Sequence, residues 1–368
     1  MLSLQKSSSI FVYLDQTNDI NNCFVCSPYF CLSSLVEYFI SNGANINAKD
    51  AFGWTPLYCA ADFNCKEITE ILISNGADIN AKIMLRFTPL YIAAMSNSKE
   101  VIEILLSNGA DISASYENGQ TILHLVARFN RYKAAEILIS KGANANTKDS
   151  DGNTPLHYAI KNNHIETAKI LISNGADLNA IFHYAVSENR KEIIEILISK
   201  GANINIKDKY GHTPLHCAVA HNYKEIVEIL ISNGADIDAK DKNDHTPLYS
   251  AVDLNRKELA EFLISNGADI NAKDNYGFTP LHWATAVNRK ELVEILISND
   301  ADINAKDKDG QTPLHSVVQL NRKELAKILI SNGANINAKD KDGQTLLQIA
   351  ILNNYKELTE ILISSNSK

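Results

Sequence analysis

The sequence predicts an all-α solenoid, in which pairs of short antiparallel helices stack side by side along one axis. Three observations lead to this fold class. A Thr-Pro-Leu motif recurs with a period of 33 residues, each copy opens two short amphipathic segments, and no Pro-rich or Gly/Ser-rich linker divides the 368 residues. Helices this short are unstable alone. They must bury their apolar faces against neighbouring repeats, so the sequence requires stacking.

The motif also gives the boundaries of the repeats. Thr-Pro-Leu-His, or a close variant, begins at nine threonines in two evenly spaced groups: Thr55, Thr88, Thr121 and Thr154, then Thr213, Thr246, Thr279, Thr312 and Thr345. The interval of 59 residues between the two groups falls seven short of the 66 that two periods require. Residues 50–368 are therefore predicted to form ten repeats. The fifth (182–207) is shortened and lacks its connecting turn, and the last, which has lost Pro and His, is predicted to be a C-terminal cap.

Each repeat carries the same local signals, of which residues 50–82 are an example. Thr55 is a good N-cap, and Pro56 occupies the first helical position, where its missing N–H costs nothing. Asn64 ends this first helix. Glu67 lies in the first turn of the second helix, where its charge favours the helix dipole, and an Asn-Gly pair closes that helix.

An asparagine stands at the end of the first helix in all ten repeats. We predict that these residues are helix stops with a left-handed backbone, because asparagine adopts positive φ more readily than other non-glycine residues. They are Asn64, Asn97, Asn130, Asn163, Asn189, Asn222, Asn255, Asn288, Asn321 and Asn354. Asp300 replaces the glycine that ends the second helix elsewhere, and the same conformation is expected there at a cost of roughly 1 kcal/mol.

The period, the Thr-Pro-Leu-His opening and the Gly-Ala-Asp-Ile-Asn-Ala after the second helix closely resemble the ankyrin repeat over residues 50–368. The resemblance implies an ankyrin-repeat solenoid of stacked antiparallel helix pairs with projecting β-hairpin fingers. It also implies protein partners that touch the finger tips and the ends of the first helices, on the concave side. The asparagine- and lysine-rich copies look most like the arrays of some protozoan ankyrin proteins.

The N-terminal region departs from this regular pattern. Residues 28–49 are interpreted as an N-terminal partial repeat, whose second half begins at Ser33. Residues 10–31 resemble the tail of a helical N-terminal domain of unknown function found in the protozoan proteins. The hypothesis for residues 1–27 is therefore the remnant of an upstream helical domain.

Histidine and cysteine raise the question of a metal site. Six histidines occupy the fourth motif position, where the resemblance implies that they bond to backbone and tie repeats together: His124, His157, His183, His216, His282 and His315. Tyrosine replaces this histidine in three repeats, which a metal ligand would not tolerate. Cys23 and Cys26, with Cys31 nearby, have no second ligand pair to complete a zinc site. We predict no metal at either group, and thiols rather than a disulfide framework for the six cysteines.

Composition and motifs exclude several classes of function. The formal net charge of -8 and the pI near 5.7 oppose nucleic-acid binding, which rests on a basic surface. No apolar run is long enough to span a membrane. The sequence contains no P-loop, dinucleotide-binding, zinc-protease, serine-hydrolase or kinase motif. We predict no catalytic residue, no cofactor and no membrane insertion, and expect a monomeric, cytoplasmic protein, with a nuclear location left open.

Recognition is expected where the repeats differ, at the finger tips and just before the helix-stop asparagines. The candidate partner-binding residues are Phe52, Trp54, Phe63, Leu85, Phe87, Met95, Phe129, Tyr210, His212, His221, Leu254, Tyr276, Phe278 and Val287. Exposed aromatic clusters have the composition of binding hot spots. The alternative for Phe52, Trp54 and Phe87 is that they pack finger on finger or against a missing upstream domain. Little binding is expected at the polar ninth and tenth fingers.

Two functions follow from this reading. The first is a non-catalytic protein–protein interaction scaffold that binds a partner of unknown identity through its concave surface. The second is a structural spacer or elastic element without a specific partner. The near-identity of repeats six to ten favours the spacer, and the aromatic fingers favour the binder.

Overall fold

The computed structural model describes residues 19–83 and 86–366. Within these ranges it contains 22 α-helices, two 3₁₀ helices and no β-strand, so the all-α prediction is confirmed. The chain divides into two units, residues 1–181 and residues 182–368. No helix in the described ranges combines the length and the apolar character needed to cross a membrane.

Unit 1 is built from helix pairs, and each pair consists of a shorter first helix and a longer second helix. Its helices are α1 (Ile20–Cys26), η1 (Ser27–Phe30), α2 (Ser33–Ser41), α3 (Pro56–Asp62), α4 (Lys66–Ser74), α5 (Pro89–Met95), α6 (Lys99–Ser107), η2 (Glu117–Gly119), α7 (Ile122–Arg128), α8 (Tyr132–Ser140), α9 (Pro155–Lys161) and α10 (Ile165–Ser173). Helix α11 (Leu178–Ser187) follows and carries the boundary between the units. Residues 178–187 form one helix, with no turn between Asn179 and His183.

Unit 2 continues with five further complete pairs after α12. Its helices are α12 (Lys191–Ser199), α13 (Pro214–Ala220), α14 (Lys224–Ser232), α15 (Pro247–Asp253), α16 (Lys257–Ser265), α17 (Pro280–Ala286), α18 (Lys290–Ser298), α19 (Pro313–Gln319), α20 (Lys323–Ser331), α21 (Leu346–Leu352) and α22 (Lys356–Asn366). Within this unit the first helices α13, α15, α17, α19 and α21 pack side by side in chain order.

The predicted helix signals are confirmed. Thr55 accepts a hydrogen bond from the backbone N–H of Tyr58 at the start of α3, with Pro56 at the first helical position. All ten helix-stop asparagines have positive φ, between 52° and 61°. Asp300 has φ of 65°, as expected for a residue that replaces glycine at this point.

Burial of the two helix stripes holds the pairs together. In α13 and α14, Leu215, Val219, Val227 and Leu230 have no exposed surface, and Ile226 is 1% exposed. Complete burial of such side chains contributes about 1.5–3 kcal/mol each. Replacing Leu215, Ile226 or Leu230 by alanine would cost about 2–5 kcal/mol, because a cavity is left in the packed interior. The stability of the stack therefore lies in the contacts between helices rather than in helix propensity.

The motif histidines link repeats within each unit, as the sequence predicts. In four of them Nε2 lies at hydrogen-bond distance from the carbonyl of the residue 29 positions later: His124 with Asn153 (3.1 Å), His183 with His212 (2.9 Å), His216 with His245 (3.1 Å) and His282 with Gln311 (3.2 Å). The Nε2 atom of His315 differs, because it is buried and makes no hydrogen bond in the described residues. Burial lowers the pKa of His216 and His282, so the neutral ring that donates from Nε2 is favoured.

The loop after each second helix is tied to the next repeat by a second set of bonds. The side-chain oxygen of Asn271 accepts from the backbone N–H of Asp302 (2.8 Å), and that of Asn304 accepts from Asn335 (2.7 Å). A lysine ladder runs beside them, in which each Nζ donates to the carbonyl 33 residues on: Lys207 to Lys240, Lys240 to Lys273, Lys273 to Lys306 and Lys306 to Lys339. These lysines are therefore structural.

The connections between repeats are tight turns rather than the β-hairpins implied by the resemblance. In the described ranges the only β-type contacts are two isolated bridges, Ser115–Thr121 and Lys339–Thr345. In the turn at 208–212, the Asp208 N–H donates to the His212 carbonyl (2.9 Å), and its carboxylate accepts from the N–H groups of Tyr210 and His212 (both 2.8 Å). The next residue is already the helix N-cap Thr213. The helix thus starts directly after the turn, and in the two bridges the pairing reaches the N-cap threonines Thr121 and Thr345.

The N-terminal region differs from its sequence interpretation. Helices α1 and η1 both pack against α3, and Cys31 has φ of 49° at the position one period before Asn64. Residues 20–31 thus take the place of a first helix, so that α1, η1 and α2 make a further helix pair. The prediction of thiols alone was also wrong, because Cys31 and Cys65 form a disulfide across a Cα–Cα distance of 5.5 Å. The two cysteines are 34 residues apart, and stacking sets residues about one period apart beside each other. This signal was present in the sequence but was not used in the prediction.

Candidate interaction surface

The first finger of unit 1 presents one of its two candidate aromatics to solvent. Phe52 is 65% exposed, with its ring centroid 6.3 Å from that of Trp54. Trp54 is half-buried, lies 5.4 Å from the ring of Tyr58 and packs against the core residues Ala48 and Cys59. Trp54 therefore packs against the core of this unit, whereas Phe52 is left accessible.

The second finger of unit 1 places its phenylalanine in an aromatic stack. Leu85 lies outside the described residues. Phe87 stacks face to face on Tyr91 at 3.9 Å, and Tyr91 lies 5.2 Å from Tyr116. Burial raises the pKa of Tyr116 to about 12, which keeps its hydroxyl neutral. This finger is thus held by packing between repeats, and Phe87 contributes to that packing.

The ends of the first helices in unit 1 carry two exposed rings that stand apart. Phe63 is 44% exposed and meets Tyr29 edge to face at 4.5 Å. Phe129 is 49% exposed, with the Arg128 guanidinium 5.5 Å from its ring centre. Met95, in the repeat between them, is half-buried. The exposed apolar surface in unit 1 is therefore interrupted at its second repeat.

Unit 2 presents a row of four residues in equivalent positions, which we name the C-cap stripe: His221, Leu254, Val287 and Leu320. Each is the C-cap of a first helix and stands exactly one period from the next in sequence. Leu254 is 42% exposed and Leu320 is 50% exposed, while Val287 is half-buried. Because the first helices lie side by side, their C-caps align across four successive repeats.

Leu320 was missed by sequence reasoning, which expected little from the ninth repeat because its finger is polar. The sequence did contain a signal for Leu320, because this residue stands one repeat period after Val287, which was predicted to bind. The finger and the helix end of one repeat are separate surfaces, so a polar finger does not predict a polar helix end. The last repeat also exposes apolar side chains that were not predicted: Ile351 (58%), Leu352 (72%) and Ile363 (52%).

An arginine row, made of Arg256, Arg289 and Arg322, runs beside the C-cap stripe. Each arginine follows a stripe residue by two positions, and its Nη2 donates to the last carbonyl of the preceding first helix. The distances are 3.2 Å to Ala220, 3.4 Å to Asp253 and 2.9 Å to Ala286. Each Nε is buried without a hydrogen-bond partner, and none of the three forms an ion pair within the described ranges. The row was not identified from the sequence.

Tyrosine makes the same contact at both ends of the arginine row. The Tyr223 hydroxyl donates to the Ser187 carbonyl (3.4 Å), and the Tyr355 hydroxyl donates to the Gln319 carbonyl (3.3 Å). His221 stacks on Tyr223 at 5.4 Å, and its Nδ1 lies 2.9 Å from the Cys217 carbonyl. Capping of the preceding helix therefore does not require a positive charge.

The finger tips of unit 2 carry two strongly exposed tyrosines. Tyr210 is 57% exposed, with the Lys209 ammonium 4.9 Å from its ring centre. Tyr276 is 68% exposed, and the half-buried Phe278 lies between it and His282, at 6.4 and 5.6 Å respectively. Phe278 therefore packs toward the helix, and the tyrosines alone extend the accessible surface.

Carboxylates and imidazoles alternate across three fingers of unit 2. His212 lies between Asp208 and Asp241, with both nitrogen–oxygen distances at 3.5 Å. His245 lies between Asp241 and Asp274, at 3.5 and 3.7 Å. In Asp208, hydrogen bonds from the His212 and Tyr210 N–H groups and the nearby histidines hold the carboxyl pKa below its usual range, although burial acts in the opposite direction. His212 is thus part of a finger-to-finger chain.

A tryptophan that the sequence did not single out lies near the C-cap stripe. Trp283 is half-buried, and its indole N–H donates to the Asp253 carboxylate at 2.9 Å. Its ring is 5.2 Å from Tyr249, which stacks on His245 at 3.7 Å. Burial raises the pKa of Tyr249. The Asp253 carboxylate therefore accepts a hydrogen bond from the indole, while its backbone carbonyl accepts one from Arg289.

The described residues contain no group of three or more His, Cys, Asp or Glu side chains that could hold a metal ion. Of the cysteines considered for zinc, Cys31 is bonded to Cys65, while Cys23 is a buried thiol and Cys26 a half-buried one. Burial raises the pKa of both thiols, which favours the protonated form.

Comparison with known proteins identifies the repeat. A family model described as ankyrin repeats (3 copies) matches residues 24–116, 114–182, 180–241, 238–307 and 291–368. A search of curated proteins finds no match. The first matched segment includes η1 and α2, which agrees with the helix pair found before residue 50. Because the matches extend over nearly the whole chain, the protein belongs to the ankyrin-repeat family.

Proposed function

We propose that the chain is a non-catalytic scaffold that binds a protein partner through the ends of its first helices and its finger tips. Ankyrin repeats are generally protein-interaction modules, and the family is typically non-catalytic. The observation that carries the proposal is the C-cap stripe of unit 2. It sets exposed side chains (His221, Leu254 and Leu320) and the half-buried Val287 in register across four repeats, next to partly exposed arginines.

The exposure of the stripe does not follow from the packing of the stack. In the same helices the residues that face neighbouring repeats, such as Val252 and Val318, have no exposed surface. Leu254 and Leu320 lie two positions further on and are 42% and 50% exposed. A contiguous apolar patch on a soluble surface marks an interaction site more often than a scattered apolar residue does. Arginine and aromatic residues beside it have the composition of a binding hot spot.

A matched pair of variants tests the proposal. The stripe variant is L254S/V287S/L320S, and its control is E261S/E294S/E228S, which changes exposed residues of the second helices in neighbouring repeats. Wild type and both variants are tagged, checked for equal melting temperature and used to capture proteins from native lysate. We expect a partner that is captured by wild type and control, and lost from the stripe variant.

Two outcomes oppose the proposal. Equal capture by all three proteins would mean that the stripe is not the recognition surface. Capture of nothing by any of them would instead favour the structural spacer, which the family relationship does not favour. Adding the single change F52S to the comparison asks whether the accessible ring in unit 1 contributes, since it lies far along the chain from the stripe.

A further inference from the structure

We propose that the C-cap stripe and the arginine row together bind an acidic amphipathic helix whose apolar residues recur every seventh position. This inference rests on the proposed function and specifies the chemistry of the partner. It uses the stripe residues Leu254, Val287 and Leu320 for apolar contact, and the three arginines for charge.

The repeat distance of the stripe selects a helix over an extended strand. Packed helices lie about 8–10 Å apart, so successive stripe residues are separated by about that distance. A helix rises about 1.5 Å per residue, so one residue in seven returns to the same face after about 10.5 Å. A strand covers a similar distance in about three residues, but side chains three apart point to opposite faces. A helix lying across the first helices therefore places one apolar residue on each repeat.

The charge of the surface selects an acidic partner. The chain has a formal net charge of -8, yet the arginine row sets three guanidinium groups along one edge of unit 2 without ion pairs in the described ranges. Each uses Nη2 on a helix carbonyl, and the planar fork has further N–H donors. Lys257 and Lys323 next to the row are paired with Glu291 and Glu357, and the Asp253 carboxylate accepts from Trp283. None of the three guanidinium groups has a carboxylate at ion-pair distance within the described ranges.

Capping of the preceding helix does not by itself explain why these three positions carry arginine. Tyr223 and Tyr355 cap the preceding helices by hydrogen bonds of the same kind without charge. Arginine stands two residues after each aliphatic member of the stripe, whereas tyrosine follows His221. Apolar contact and positive charge thus occur together in three successive repeats. A guanidinium fork pairs with a carboxylate in two-point contacts, which suits glutamate side chains flanking the apolar face of a helix.

The test uses two synthetic probes and the full chain. The acidic probe is a peptide of about 22 residues, or about 33 Å as a helix, with leucine every seventh position and glutamate beside each leucine. The second probe replaces every glutamate by lysine. Fluorescence anisotropy of labelled peptide gives the dissociation constants. We expect wild type to bind the acidic probe at least about tenfold more tightly than the basic one, and binding to weaken as salt is added.

Variants then assign the charge to the arginine row. R256Y/R289Y/R322Y keeps a hydroxyl for the helix carbonyls, as in the tyrosine repeats, and is expected to raise the dissociation constant of the acidic probe about tenfold or more. Its charge-matched control, K141Q/K200Q/K327Q, removes three exposed lysines in or at the end of second helices, outside the fingers and the C-cap stripe, and is expected to bind as wild type does. R256K/R289K/R322K keeps the charge and is expected to retain most of the binding.

Several results would overturn the inference. They are no binding of the acidic probe, equal binding of both probes, or unchanged binding by the tyrosine variant. If the tyrosine variant fails to fold, the comparison of the two probes on wild type still shows whether the surface prefers an acidic or a basic helix. A lysate partner that is lost from L254S/V287S/L320S but kept by the tyrosine variant would support the proposed function and refute the acidic helix. Loss from neither would refute both.

Discussion

Two substitutions of His282 should separate the stability contributed by its local hydrogen bonds from that contributed by its bond to the next repeat. His282 is 1% exposed. Its Nδ1 lies 3.2 Å from the Thr279 nitrogen and 2.8 Å from the Thr279 hydroxyl, while Nε2 lies 3.2 Å from the Gln311 carbonyl of the next repeat. Replacement by alanine abolishes all three contacts and leaves a cavity. Replacement by glutamine copies Gln348, whose side-chain oxygen accepts from the Thr345 nitrogen (2.8 Å) and hydroxyl (3.1 Å).

The contacts give the expected size of each effect. A hydrogen bond contributes about 1 kcal/mol net, and the lost imidazole adds a cavity term, so H282A should lower the free energy of unfolding by about 3–4 kcal/mol. H282Q keeps the two local bonds and loses the bond to the next repeat, so its cost should be about 1 kcal/mol.

Urea unfolding followed by circular dichroism measures both free energies, provided that the slope m stays constant between variants. A cost of less than about 1 kcal/mol for H282A would refute the assignment of this histidine as a structural link. Equal costs for H282A and H282Q would show that the bond between repeats carries the whole effect and the local cap none of it.

Three further predictions concern stability. D300G should raise the free energy of unfolding by about 0.5–1 kcal/mol in urea titration, because glycine adopts the observed φ of 65° without strain; an unchanged midpoint would contradict this. G277A should cost at least about 1 kcal/mol more than G267A, since both glycines have positive φ but only a Cβ at 277 would meet backbone, 2.9 Å from the Lys308 nitrogen; equal midpoints would contradict it. Burial lowers the pKa of five histidines (His124, His157, His216, His282 and His315), so the unfolded state binds more protons and stability is full above about pH 6.5 and lost as the pH falls through their folded pKa values. The melting temperature should therefore fall between about pH 7.5 and pH 5.5, and a constant value would oppose the assignment.

Local signals predicted most of the helical framework. The threonine N-caps and the asparagine helix stops act within a few residues, so the sequence specified both ends of each first helix. The segment at 20–31 was not recognised as a first helix because it lacks Thr-Pro-Leu and ends at Cys31 instead of asparagine. Its packing against α3, which comes later in the chain, determines its place.

The parts that depend on contacts between repeats were predicted less well. The pairing of Cys31 with Cys65 and the stacking of Phe87 on Tyr91 arise from the way neighbouring elements meet. Trp54 is of a residue type that is common in binding sites, yet it packs against the core and is half-buried. Exposure depends on the residues of the adjacent repeat, which no single motif contains.

In the candidate surface, too, single residues were predicted better than features that depend on contacts between repeats. Leu254 was identified because it differs from its counterparts, whereas Leu320 was passed over although it lies in the same register and is the more exposed. From the sequence alone, the three arginines look like exposed residues at the start of the second helices. Only the donation of each guanidinium to the preceding repeat shows that the three side chains lie along the stripe.

The most direct test of the C-cap stripe as the recognition surface is photo-crosslinking from a single position. A photoreactive amino acid is placed at Gln319, which is exposed beside Leu320, or at Glu294, which is exposed on a second helix. The proposal predicts protein adducts from position 319 and none from 294, suppressed by excess unlabelled wild type but not by L254S/V287S/L320S. Adducts from position 294 alone, or competition by that triple variant equal to that of wild type, would contradict it.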